Sequence, residues 1–130
     1  MSVNQITRVS IPVSDQDGAK VFYTSALGFE LKGDMPVPMG ENARWIEVAP
    51  SGAATSLVLT TWLGMQPGSL QGIMLEVDDM DDAVTRLRRA GVAVEGPRDT
   101  PWGRQAAFAD PDGNGFVLAT PVPAESDERV

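Results

Sequence analysis

The chain contains no cysteine and no histidine. The first absence removes disulfides, thiolate nucleophiles and Cys-ligated metal or iron–sulfur sites, and the second removes the commonest acid–base group and metal ligand. Together they exclude Ser-His-Asp triads, Cys-His pairs and the usual zinc sets. Positive charge is also scarce: 10 Lys and Arg stand against 18 Asp and Glu, a formal net charge of −8. A surface of that sign repels phosphate backbones and anionic lipid, so neither nucleic acid nor a membrane is an expected partner, whereas a cationic small molecule is attracted. No apolar run approaches the length of a bilayer-spanning helix, and residues 1–7 lack a basic stretch followed by an apolar one. The expectation is a cytoplasmic protein.

What is present is a globular composition, 42% hydrophobic and 22% charged over 130 residues. That is enough chain for one compact domain with a core, and too little for two independent ones. Residues 6–14 alternate, with Val9, Ile11 and Val13 on one face, as in a half-buried strand; Pro12 points to an edge or a bulge. Asp15 offers an N-cap, and Ala19, Phe22, Tyr23, Ala26 and Leu27 recur at helical spacing up to a stop at Gly28. A second strand starts at Phe29, residues 34–42 read as a loop, and residues 44–49 and 55–62 form a hairpin around Pro50, Ser51 and Gly52. From Gly72 the same grammar restarts. A strand of Ile73, Leu75 and Val77 leads to a helix opened by Asp78 and Asp79, with Ala83, Leu87 and Ala90 as its inner face. Strands over 92–94, 105–109 and 116–120 follow, the last after the turn Asp110-Pro111-Asp112-Gly113.

The order is β-α-β-β-β, twice. Arg8 falls on Gly72, Asp15 on Asp79 and Ala19 on Ala83, each 64 residues further on, and Gly28 falls on Gly91 after a one-residue slip. The expected architecture is therefore α+β, a single domain of two tandem βαβββ modules over about 6–62 and 72–120, with a linker at 63–71 and a flexible tail at 121–130. Each module needs cover for the sheet face its helix leaves open, so a cleft between concave faces is the expected site.

These residues resemble the vicinal oxygen chelate superfamily, which contains glyoxalase I, extradiol dioxygenases and bleomycin-resistance proteins. The likeness spans about residues 6–120 and rests on four stretches. They are Val9-Ser10-Ile11-Pro12-Val13-Ser14-Asp15, Phe22-Tyr23 through Leu27-Gly28-Phe29, Glu76-Val77-Asp78-Asp79 with Ala90-Gly91-Val92, and Phe108-Ala109-Asp110-Pro111-Asp112-Gly113. The resemblance implies a homodimer. It also implies four metal-ligand positions, which here carry Arg8, Val58, Gly72 and Val117. A cation, two hydrocarbons and a glycine cannot ligate a divalent ion, so no metal and no other cofactor is expected.

Strand alternation from those positions places Arg8, Ser10, Ser56, Val58, Thr60, Trp62, Met74, Glu76 and Val117 on the cleft face, with Trp45 and Glu47 beside them. Arg8, Trp45, Trp62, Met74 and Trp102 are the candidate ligand-binding residues: tryptophans offer flat stacking surfaces and Arg8 a fork for an acid. Core or interface filling explains the same tryptophans. Glu76 and Glu47 are the candidate catalytic carboxylates, and an ion pair with an arginine such as Arg8 is the plainer role for Glu76. The acids at 78, 79, 81 and 82 answer a helix dipole, since the spacing of a calcium loop is missing. The expected function is that of a bleomycin-resistance-like binder, an acidic dimer sequestering a small cationic aromatic molecule between tryptophans. The alternative is a glyoxalase-type lyase or isomerase with an unconventional metal site or a carboxylate base.

Overall fold

The computed structural model describes residues 2–121; apart from Pro121, the tail expected at 121–130 lies outside the described residues. The chain forms two compact units, Met1–Leu70 with Asp110–Asn114, and Gln71–Ala109 with Gly115–Val130. The first runs β1 (Arg8–Pro12), α1 (Gln16–Val21), a π-helical turn (Phe22–Ala26), β2 (Glu30–Pro36), β3 (Arg44–Ala49) and β4 (Ser56–Thr60). The second runs β5 (Ile73–Glu76), α2 (Met80–Arg89), β6 (Glu95–Thr100), β7 (Gly103–Ala109) and β8 (Gly115–Ala119). Their sheets have the orders β1-β4-β3-β2 and β5-β8-β7-β6, so both βαβββ modules share one topology. In each, the first strand pairs in parallel with the last and the other pairings are antiparallel.

The internal repeat is carried by local chemistry. Asp15 and Asp79 both adopt extended backbone, and their side chains accept hydrogen bonds from the first-turn amides, Asp17 and Gly18 in one case and Asp82 in the other. These acids supply acceptors that the helix itself does not provide. Gly28 and Gly91 end the helical segments with φ of +74° and +87°, a region closed to most side chains. In the first unit α1 lies against β3 and β4, and Ile11, Ile46, Val48 and Leu59 are fully buried with Tyr23. Each such aliphatic side chain contributes on the order of 2 kcal/mol by leaving water. In the second unit Met80, Val84 and Leu87 form the inner stripe of α2, which lies against β6 and β7.

Three local expectations are corrected. The segment 34–42 is not loop throughout, because β2 continues to Pro36. The strand expected at 92–94 lies instead at Glu95–Thr100 and contains Gly96 and Pro97. Both β2 and β6 are outer strands, where one missing donor is tolerated, and unlike the outer strand β1 they bury none of their residues, so apolar alternation is absent. On α2, Ala90 is exposed at the C-cap and the stripe shifts to Met80, Val84 and Leu87.

A buried polar knot completes the first unit. Asp110 is 5% exposed and Asn114 and Tyr23 are 0% exposed. The Asp110 carboxylate accepts hydrogen bonds from the Tyr23 hydroxyl at 2.7 Å, the Asn114 side-chain amide at 2.8 Å, and the Asp112 and Asn114 backbone N–H groups at 2.9 Å each. Asn114 Nδ2 also donates to the Pro12 carbonyl at 3.0 Å, and the Leu70 N–H donates to Asn114 Oδ1 at 3.2 Å. Ser14 donates to Asp112 through both N–H and Oγ. Burial first, then the Asp110 carboxylate, pushes the Tyr23 phenol far above its ordinary range, so it remains a donor.

Two stability predictions follow from these contacts. Tyr23→Phe keeps the ring and deletes one donor to a buried carboxylate; urea unfolding should show a loss of about 1–2 kcal/mol. Asp34 accepts from Arg44 Nε and Nη2 at 3.0 Å each and from Lys20 Nζ at 2.7 Å. The Arg44 and then the Lys20 hydrogen bonds lower its pKa from 3.8 to about 2. That stabilisation is complete above about pH 4 and is lost as the pH falls towards 2. Asp34→Asn should cost roughly 2 kcal/mol at pH 7 and flatten the stability profile between those limits.

Candidate functional site

Strand register decides which side chains share the face of the first sheet turned away from α1. Arg8 stands beside Ser56, Ser10 beside Val58, and Val58 beside Glu47. Trp45, two residues before Glu47 on β3, shares its face and pairs in register with Met35 of β2. The opposite face takes Ile11, Ile46, Val48 and Leu59, all fully buried. Apart from the buried Val58, this face is therefore polar and aromatic by the pleat alone, and it brings four of the seven expected site residues together: Arg8, Trp45, Glu47 and Trp62.

Their geometry is specific. The Trp45 and Trp62 rings stack with centroids 6.5 Å apart and planes 27° apart. Trp45 Nε1 donates to Glu47 Oε1 at 3.0 Å, and Arg8 Nε donates to the same oxygen at 3.1 Å. The Arg8 guanidinium carbon lies 5.9 Å from the Trp45 ring centroid, within cation–π range. The Glu47 side chain is 14% exposed and that of Arg8 50%. Burial pushes the Glu47 pKa up, but hydrogen bonds from Trp45, Ser56 and Arg8 together outweigh it and hold the carboxyl below its ordinary value. Glu47 is an anchored anion, the opposite of the proton-hungry carboxylate a general base requires.

The other three expected residues lie in the second unit. Met74 and Glu76 sit two apart on β5, beside Val117 and Ala119 of β8, and both are exposed. Glu76 is thus not buried, and it has no hydrogen-bond or ion-pair partner among the described residues; the arginine Arg8 pairs with Glu47. Trp102 occupies the turn between β6 and β7, is 67% exposed, and donates its backbone N–H to Thr100 Oγ1. Sequence reasoning missed Arg98, Thr100 and Gln105, which with Ala106, Ala107 and Val117 line a cavity of about 300 Å³ in the second unit. Alternation would have paired Arg98 with Thr100 had β6 been recognised.

The four positions at which the family resemblance implies metal ligands do not fit a metal. Arg8 is committed to Glu47, Val58 is 1% exposed within β4, Gly72 has no side chain, and Val117 is hydrocarbon. Among the described residues, no group of three or more His, Cys, Asp or Glu side chains is placed to hold an ion. No described helix is long and apolar enough to cross a membrane.

Two βαβββ units of identical topology define the fold class. Residues 5–118 match the model of the glyoxalase/bleomycin resistance protein/dioxygenase superfamily, and the chain belongs to that family. TnmS3, an antibiotic binding protein from Streptomyces sp. CB03234, is 52% identical, with a TM-score of 0.88 over 93% of this chain and 98% of that one. A glyoxalase/bleomycin resistance protein from the same strain is also 52% identical, with a TM-score of 0.81 over 88% of this chain and 99% of that one. YetH of Bacillus subtilis (strain 168) is 39% identical over 120 residues, which cover 89% of this chain and 98% of the relative.

The half-exposed Arg8–Glu47 pair should matter little to folding. Arg8→Ala is expected to lower stability by less than about 1 kcal/mol, measured by urea unfolding at pH 7.

Proposed function

We propose that this protein binds and sequesters a small planar aromatic molecule, of the kind found among antibiotics, on the open face of its first sheet. The observation that carries the reading is the stacked Trp45–Trp62 pair, fixed at its polar edge by Glu47. A large aromatic surface whose indole N–H is already satisfied binds by dispersion and exclusion of water, with little ordering left to do. The likeness to TnmS3 supports a binder, since that protein is an antibiotic binding protein. The negative net charge favours a cation at long range, although at Trp45 a cation is already supplied by Arg8. Met74 and Trp102 are each exposed and enter the same proposal as separate apolar contacts for the ligand. The homodimer that the family likeness implies belongs to the same proposal. Catalysis by Glu47 is disfavoured by its lowered pKa.

Titration with bleomycin and with ethidium, a simple planar cation, should quench tryptophan fluorescence and raise the melting temperature, because a ligand of the folded state stabilises it. Trp45→Ala should weaken binding about tenfold or more and Trp45→Phe much less, as expected for stacking. Light scattering on the same samples should give twice the chain mass of 13.8 kDa. Unchanged fluorescence and melting temperature across a wider panel of aromatic antibiotics would sink the proposal.

A further inference from the structure

Three arginines in the chain illustrate different degrees of commitment. Arg44 spends Nε and Nη2 on Asp34 and Nη1 on Asp17. Arg88 places Nη2 on the carbonyls of Val94 and Gly96. Arg8 is held by Nε alone, and its two terminal nitrogens make no hydrogen bond among the described residues. A guanidinium has two edges suited to a bidentate acceptor, and only one of them points at Glu47. The Nη1–Nη2 edge is left over, on a side chain that is half exposed and lies within cation–π distance of the Trp45 ring.

Glu47, in contrast, is already answered. Its Oε1 accepts from both Trp45 and Arg8. A ligand cation seeking that carboxylate would have to expel Arg8 from the acid and from the ring together. A ligand acceptor would expel nothing.

We propose that Arg8 is the polar anchor of the site, offering its Nη1–Nη2 edge to a carboxylate, phenolate or comparable oxygen edge of a planar ligand stacked on Trp45 and Trp62. Glu47 is the positioning residue that fixes the fork. This rests on the aromatic-binding reading above and adds the ligand's polarity to it, an acceptor-edged aromatic in place of a cationic one. The overall negative charge does not decide against it, because that field is screened within about 8 Å at physiological salt while a bidentate contact acts at about 2.8 Å.

The test uses three probes that share one ring system: 1-pyrenecarboxylate, 1-pyrenemethanol and 1-pyrenemethylammonium, each titrated by tryptophan quenching at pH 7. The expected order of affinity is carboxylate, then alcohol, then ammonium. Arg8→Ala should weaken the carboxylate at least about tenfold and the alcohol less than about twofold, and Arg8→Lys should recover only part of the loss, since an ammonium lacks the fork. Glu47→Gln is the discriminating variant. By charge alone, removing an acid should strengthen binding of an anion; as the residue that holds Arg8 in place, Glu47 should instead weaken it when replaced. Tightest binding of the ammonium, an unchanged carboxylate affinity in Arg8→Ala, or a gain in Glu47→Gln would each overturn the role given to Arg8. Equal binding of all three would do so too, while leaving the aromatic reading in place; no quenching by any of them would remove both.

Discussion

A carboxylate that is 5% exposed must be surrounded by donors or give up its charge, and Asp110 is surrounded. Tyr23, the Asn114 side chain and two backbone amides meet it, and Asn114 carries the connection on to Pro12 and Leu70. The knot therefore joins the turn after β7 to the end of β1, to the π-helical turn and to the segment beyond β4. Each of these would otherwise leave a polar group facing hydrocarbon. Gly68 shows how close the approach is: a Cβ there would collide with the Asp112 carbonyl. The turn is consequently part of the first compact unit, although the strands on either side of it belong to the second.

The open face of the first sheet obeys the same rule at lower stakes. Glu47 is a second acid drawn largely out of water, and it too is met by donors, from a tryptophan and an arginine. The difference is access. Asp110 is enclosed and its partners are fixed, whereas Glu47 has one partner, Arg8, that is half in solvent. Satisfied acids rigidify what surrounds them, so the half-buried Trp45 ring is held in a fixed orientation. That combination suits recognition of a rigid planar molecule and suits proton transfer poorly.

Much of the fold was legible because repetition and capping are local. Asp15 and Asp79, Gly28 and Gly91, and the alternation of Val9, Ile11 and Val13 announce the modules without any tertiary information. Two of the four outer strands were not legible. β2 beyond Lys32 and all of β6 have sequences that look like loops, since a strand with one neighbour and little core to face carries no alternation for the eye to find. Of the candidate site, alternation from the family's ligand positions was enough to place Arg8, Glu47, Trp45 and Trp62 on one face. It could not show that Arg8 pairs with Glu47, because that choice depends on register between strands separated by 39 residues in sequence. Nor did it suggest Arg98, hidden in an unrecognised strand.

The long span of the Asp110 knot also bears on synthesis. Its hydrogen bonds link residues up to 102 positions apart, so the first unit cannot finish folding when its own strands leave the ribosome. It must wait until the turn at Asp110–Asn114 has been made, with all of α2, β6 and β7 produced in between. At about 5–20 residues per second that interval lasts several seconds, during which the core around Tyr23 lacks the carboxylate that completes it. The N-terminal half of the chain is thus the first to be made yet cannot close until Asn114 appears, just before β8 supplies the strand that the second sheet needs, and the stretch before Asp110 is the period in which a nascent chain most needs protection from aggregation.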